Sequence, residues 1–222
     1  MASSQIVAEV ERIRYAVIGD SYSNGEGASP NESWPALLTQ HLRDQGLDMQ
    51  LVANPSVTGW TTQQAIDHEL PVFNRAKPNF GSLLIGVNDW VQAVDEKTFR
   101  HRFTFLLDQM LLALPSKKRL LVVTIPDFGV TPAGPQYAGG RNISEGIAAF
   151  NQIIKEESGS RGLRVIDIFQ LSKKMGSDAA LVAADGLHPS AKEYAEWEKI
   201  IFPAALEIVS GRKSEPANES GR

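Results

Sequence analysis

Short apolar runs alternate with longer stretches of helical periodicity along the 222-residue chain, a pattern that predicts a parallel sheet flanked by helices. The runs are Arg14–Ile18, Met49–Ala53, Ser82–Ile85, Leu120–Ile125 (ended by Pro126) and Leu163–Ile168. The third is short and, after Ser82, apolar, as a strand buried on both faces should be. Between them, Trp34, Leu37, Leu38 and Leu42 give the segment 32–45 one apolar face, and Gly46 stops it. Thr61 can cap a helix running through Ala65, Ile66 and Leu70. The segment 96–114 carries Phe99, Phe103, Leu106, Leu107 and Met110 on one side, which reads as a core face rather than a ligand-binding stripe. Residues 143–157 and 190–210 are helical, and the polar stretch 211–222 is expected to be disordered. The chain is thus expected to form one α/β domain over 1–210. Right-handed crossovers make it a three-layer α/β/α sandwich of five parallel strands. Ligands of such sheets bind outside the carboxyl ends of the strands.

Composition narrows the function classes. A net charge of -4 and a pI near 5.6 argue against nucleic acid as a main partner. With no cysteine, there is no disulfide framework, zinc-thiolate site or thiol nucleophile. The first 14 residues lack an apolar core of signal-peptide length, and no run approaches the ~20 apolar residues of a membrane span. The expectation is a cytoplasmic protein without stable membrane insertion, or an exported one whose signal has been removed.

Chemistry-bearing residues cluster at the predicted strand ends. Gly19-Asp20-Ser21-Tyr22 follows the first strand, and Asn54-Pro55-Ser56-Val57-Thr58-Gly59 the second. Gly86-Val87-Asn88-Asp89 follows the third and Asp185-Gly186-Leu187-His188-Pro189 the fifth. The topology brings all four to one edge of the sheet. Each residue type suits one task in acyl transfer. Ser21 would attack an ester carbonyl, and His188 would take its proton and later return it to the leaving alcohol. Asp185, three residues before His188, would orient the imidazole, and Pro189 can start the next helix. The oxyanion would find the backbone N–H of Gly59, the side-chain amide of Asn88 and the N–H of Ser21. Asp20 is expected to order the turn after the first strand, and Asp89 to cap the next segment or brace Asn88. His41, His68 and His101 fall on predicted helices and are expected to be solvated. Asp127–Gly140 is longer than the usual two to about six residues of such a connection and is a candidate substrate loop or lid.

Taken together, the four segments resemble the SGNH, or GDSL, hydrolase family, over about Tyr15 to Ala191. Gly19-Asp20-Ser21 is similar to the family's first block, the 54–62 stretch with Gly59 to its second, Gly86-Val87-Asn88-Asp89 to its third, and Asp185 to Pro189 to its last. The resemblance implies a flavodoxin-like sheet of order 2-1-3-4-5 and hydrolysis of a small-molecule ester with no metal or organic cofactor. Tyr22 stands where the family commonly has Leu, which changes the shape expected of the acyl pocket. The substrate class stays open between lipid-like, thioester, small acyl and acetylated sugar esters, with Trp60 and Trp90 as an apolar wall, a sugar platform or ordinary packing.

Other readings fit less of the chain. Ser23 lies further from the strand end than Ser21. An α/β-hydrolase needs Gly-x-Ser-x-Gly on a strand well inside the sheet. A phosphate or flavin site in the loop 21–29 would have Glu26 facing the anion and Pro30 where a third glycine belongs. Asp185 and His188 as metal ligands lack a clear third ligand nearby.

Overall fold

The computed structural model describes residues 12–211. Of the stretch expected to be disordered, all but Gly211 lies outside them. Five strands form one parallel sheet: β1 (Ile13–Gly19), β2 (Met49–Ala53), β3 (Phe80–Leu84), β4 (Leu120–Val123) and β5 (Arg164–Ile166). Their order is β2-β1-β3-β4-β5, the flavodoxin-like arrangement expected from the sequence. β1, β3 and β4 occupy the middle and are almost wholly buried, which is why their sequences run apolar without alternation. β2 and β5 form the edges and are partly exposed.

The helices are α1 (Ser21–Asn24), α2 (Trp34–Asp44), α3 (Thr62–Gln64), α4 (Leu70–Ala76), α5 (Val87–Val91), α6 (Glu96–Ala113), α7 (Ile143–Ser160), α8 (Phe169–Ser172) and α9 (Ala191–Ser210). They cover both sides of the sheet, with α2 packed on α9 and α6 on both α4 and α7. The aromatic face of α6 is core: Phe99 stacks on Phe150 of α7 at 4.2 Å between ring centroids. Asp95, Asn142 and Ser190 cap α6, α7 and α9 through their side chains, an interaction typically worth about 1 kcal/mol each.

The helix expected to run on from Thr61 is interrupted. Residues Ala65–Glu69 form a π-turn, and the Leu70 N–H bonds to the Ala65 carbonyl five residues back. Such single-turn widenings are rare and frequently sit beside functional sites. Here the widening accompanies a fully buried Glu69 at the carboxyl end of β1, where its Oε2 accepts from the Gly19 N–H at 2.9 Å. The carboxyl of Asp20 is also fully buried. One oxygen of each, Glu69 Oε1 and Asp20 Oδ2, has no hydrogen-bond partner.

Burial pushes the Glu69 carboxyl up to about 9; the Gly19 N–H works against this and the nearby Asp20 adds to it. Burial also pushes Asp20 up to about 8, opposed by the Tyr22 N–H and reinforced by Asp89. Both carboxyls are therefore largely protonated at neutral pH. For Glu69, the folded value lies above the ordinary 4.5, so the folded state holds a proton that the unfolded chain has released. Its contribution to stability is complete below about pH 4.5 and is lost as pH rises through about 9. Glu69→Gln keeps an acceptor for Gly19 and removes the titration. Thermal unfolding should show the variant more stable than the parent at pH 9 and less dependent on pH between 6 and 9. The gain should be several degrees, at about 2–4 °C per kcal/mol. Equal slopes in the two proteins would mean that Glu69 is not the buried acid responsible.

Candidate active site

Gly19 pairs with Leu84 in the β1–β3 ladder, so both strands end level and their loops leave the sheet side by side. Ser21 opens α1 immediately beyond. Asp20 caps that turn, its Oδ1 accepting from the Tyr22 N–H at 3.1 Å, as expected of its place after the strand. Ser21 is 5% exposed, whereas Ser23 is fully enclosed.

The segment after β2 is stitched to this loop. Asn54 Nδ2 donates to the Ser23 carbonyl at 2.8 Å, Ser56 Oγ to Asn54 Oδ1 at 2.7 Å, and Thr58 Oγ1 to Glu26 at 2.7 Å. Gly59 turns the chain with φ +84°, a left-handed conformation that favours glycine, and open space lies where a Cβ would be. Asn88, in the first turn of α5, donates from Nδ2 to the carbonyl of Trp60 at 2.9 Å. The amide of Asn88 is thus tied next to Gly59, and since an amide nitrogen carries two hydrogens, one remains to donate. Asp89 does not brace Asn88. Its buried carboxylate accepts from the Thr62 N–H at 2.7 Å and the Thr62 hydroxyl at 2.5 Å, with Arg102 at 3.9 Å, so it fastens the start of α3 to α5. Burial raises the Asp89 carboxyl, although the Thr62 bonds and Arg102 oppose the rise.

Asp185 and His188 reach the same edge by a longer route than a simple β5 loop, through α8 and two 3₁₀ turns, Lys173–Gly176 and Ala179–Leu181. They sit on a small hairpin closed by the Ala183 N–H to the His188 carbonyl at 2.8 Å and by a bridge between Val182 and Pro189. His188 Nδ1 meets Asp185 Oδ2 at 2.6 Å, and Asp185 Oδ1 accepts from the N–H groups of Leu187 (2.8 Å) and His188 (3.0 Å). Partial burial works to raise the Asp185 carboxyl, but the His188 ring and the two N–H groups outweigh it and hold it below its ordinary 3.8. With Nδ1 bonded to the carboxylate, Nε2 of the imidazole is left to exchange a proton elsewhere.

The hairpin rests on the loop that follows Ser21. A Cβ at Gly27 would lie 3.1 Å from the Cβ of His188 and 2.6 Å from that of Ala183, so only glycine permits this approach. The ring of Tyr22 lies 6.1 Å from that of His188 and 5.8 Å, edge-on, from Trp197 of α9. Tyr22 is 3% exposed and acts as packing behind the imidazole. Glu193, buried under Trp197 and accepting its indole N–H at 2.6 Å, is raised to about 7 by that burial. Periodicity gave no hint of this layer. Its only sequence signal is a carboxyl four residues before a tryptophan on the core face of the last helix.

The long connection expected to be a candidate substrate loop or lid is tied down by hydrogen bonds. It folds into two 3₁₀ turns, Phe128–Val130 and Gly134–Tyr137, and the Ala133 N–H bonds to the Gly186 carbonyl at 2.9 Å. Trp90 is buried against Phe128, with ring centroids 5.9 Å apart, while Trp60 stays partly exposed, tilted over His68 at 5.3 Å. His41 is not simply solvated, for it pairs with the buried Glu198 at 2.8 Å. Among the described residues, no group of three or more acidic or imidazole side chains could hold a metal ion, and no helix is long and apolar enough to cross a membrane.

Comparison with known proteins extends this picture. Residues 17–195 match the model of the GDSL-like Lipase/Acylhydrolase family. The chain is 25% identical over 174 residues to Esterase TesA of Pseudomonas aeruginosa, covering 78% of each chain. In three dimensions it is similar to a crystal structure of TesA, with a TM-score of 0.70 and 22% identity over 88% of this chain and 99% of the other. It is similar also to a Clostridium thermocellum family 3 carbohydrate esterase, with a TM-score of 0.69 and 20% identity over 90% and 98%. The family match spans all four strand-end segments and stops near the start of α9. The chain therefore belongs to the GDSL-like lipase/acylhydrolase family and is a carboxylic ester hydrolase of the SGNH type.

Proposed function

We propose that this hydrolase acts on esters of small acyl groups, acetyl among them, by a two-step route through an acyl-enzyme on Ser21. The observation that carries the reading is the 2.6 Å bond between Asp185 and His188 on a hairpin seated against the loop that follows Ser21. His188 Nε2 takes the hydroxyl proton as Ser21 Oγ bonds to the carbonyl carbon. The charge that develops on the carbonyl oxygen is met by the second amide N–H of Asn88 and the backbone N–H groups of Gly59 and Ser21. Each such donor typically lowers the barrier by about 3–4 kcal/mol. When the intermediate collapses, His188 returns its proton to the departing alkoxide. A water molecule, deprotonated by His188, then attacks the acyl-enzyme; the bond from the acyl carbon to Ser21 Oγ breaks, His188 returns the proton to Oγ, and the carboxylic acid is freed. Throughout, Asp185 holds the imidazole with Nδ1 protonated and stabilises the imidazolium. The mechanism calls on no metal or organic cofactor.

The small-acyl reading rests on the residues beside the reacting groups. Tyr22 next to Ser21 and Trp90 next to Asp89 are both packed inward, and bulky aromatic residues so close to the reacting groups are taken to leave room for a short acyl chain only. Trp60 differs. It borders Gly59 and is partly exposed, which favours a sugar as the alcohol half of the ester. The similarity to a carbohydrate esterase agrees with this second reading.

Ser21→Ala should lower turnover of a chromogenic acetyl ester by at least about 10⁴-fold with an unchanged melting temperature; retained activity would overturn the assignment. Asp185→Asn should fold normally and lose on the order of 10⁴ in kcat, as in serine-protease triads. An unchanged rate would mean that another group orients His188. Across a series of chromogenic esters, kcat/KM should fall at least about tenfold between butyryl and octanoyl, since only a chain that fits gains from each added methylene. A rise over the same range would favour a lipase-like substrate. Release of acetate from acetylated xylan or glucose separates the sugar reading from plain small esters.

A further inference from the structure

Arg141, at the end of the β4–α7 loop, has no role in any of the four strand-end segments, yet it reaches one of them. Its Cζ lies 3.9 Å from the centroid of the Trp90 ring. Nη1 donates to the Trp90 carbonyl at 2.6 Å, Nη2 to the Val91 carbonyl at 3.0 Å, and Nε to Ala138 of its own loop at 3.2 Å. The last carbonyls of a helix lack partners within it, and α5 is barely more than one turn, too short to persist alone. Arg141 bonds two carbonyls at the end of α5, that of Val91 and that of Trp90, which also accepts from the Ala93 N–H at 3.0 Å, and its guanidinium lies over the Trp90 indole. From the other side, Phe128 meets the same ring edge-on, and α7 approaches so closely that a Cβ at Gly146 would run into the indole.

The remainder of the loop is equally fixed. Asp127 Oδ1 accepts from the Gly129 N–H at 3.1 Å and the Ser144 hydroxyl at 3.0 Å. Ala133 then holds Gly186, between Asp185 and His188. One connection therefore grips both the turn that carries Asn88 and the hairpin that carries His188.

We propose that Arg141 is a positioning residue of the ester-hydrolysis reaction, holding α5 so that the free amide hydrogen of Asn88 stays aimed at the oxyanion. This rests on the reading of Asn88 as an oxyanion donor. The bond from Asn88 to Trp60 fixes one amide hydrogen and Asp89 ties the first turn of α5 to Thr62, but both act at the start of the helix. The planar fork of Arg141, bonded to two successive carbonyls at its end and lying over the Trp90 indole, holds the other end. Lysine offers neither the fork nor the stack, so Arg141→Lys should fail almost as fully as Arg141→Ala. The oxyanion exists only in the transition state and the intermediate, so the loss belongs in kcat and not in KM.

The test is a double-mutant cycle on a chromogenic acetyl ester, with Arg141→Ala, Arg141→Lys, Asn88→Ala and the two combinations. Arg141→Ala should lower kcat by about 10–100-fold, the scale of misplacing a reacting group by an ångström, with KM changed less than about threefold. In the Asn88→Ala background, the same substitution should cost less than about threefold, because the group it positions is gone. Methylguanidinium at millimolar concentration should restore part of the kcat of Arg141→Ala and none in the combined variant. Equal losses in both backgrounds, or an undiminished kcat in Arg141→Ala, would overturn the proposal. Should Arg141→Ala fail to fold, as read by its melting temperature, Arg141→Lys carries the same comparison. Full activity in Asn88→Ala alone would instead sink the oxyanion reading on which this rests, so the two failures are separable.

Discussion

The register between β1 and β3 is the constraint on which the site depends. With Gly19 opposite Leu84, Ser21 and Asn88 leave the sheet only a few residues past a shared ladder position. A slip in that register would carry the nucleophile candidate and the amide apart together with every contact built on them. The strands hold it because their faces are buried on both sides, and a shift would expose apolar side chains of both strands. The all-parallel order then adds β4 on the same side, and the loop beyond it reaches back over α5.

Above the sheet the site is a set of loops, and loops need other means of fixing. Here the means are buried polar bonds that run between segments far apart in sequence. Asn54 holds the loop of Ser23, Asp89 holds Thr62, Asn88 holds Trp60, and Arg141 holds the end of α5. Each ends on a backbone group partly or wholly removed from water, where a lost bond costs more than at the surface. The buried acids beneath Ser21 follow a different logic. Glu69 and Asp20 each leave an oxygen unpartnered and remain protonated at neutral pH, so the fold tolerates them as neutral groups and loses stability once they ionise.

Periodicity was enough to read the five strands, their parallel direction and the edge at which chemistry-bearing segments meet, because central strands and amphipathic helices carry strong local patterns; their order was implied by the family resemblance. Strand ends were read too long at β4 and β5, where residues 124–125 and 167–168 lie beyond the ladder and turn to side-chain bonds: Ile125 N–H to Asn151, and Thr124 Oγ1 to Asp167. The closeness of Asp185 and His188 was legible from their spacing, since three residues across a tight turn bring the side chains together. What stayed hidden depends on tertiary partners. Glu69 looks like an ordinary helical acid until the π-turn and the end of β1 enclose it. Arg141 looks like a loop cation until α5 is placed beneath it. Asp89 was expected to cap the next segment or brace Asn88 and instead serves Thr62, 27 positions earlier, a pairing no local rule contains. Tyr22, the departure from the family pattern, supports the imidazole from behind rather than opening a new pocket.

The central claim is that Ser21 becomes acylated, and a covalent probe tests it most directly. The protein treated with an alkyl fluorophosphonate should gain the mass of one phosphonyl group, located by peptide mass spectrometry to Ser21, and lose esterase activity in proportion. Labelling should be absent in Ser21→Ala and strongly slowed in a His188→Ala variant that keeps its fold. An active protein that takes no label, or takes it at Ser23 or elsewhere, would contradict the account.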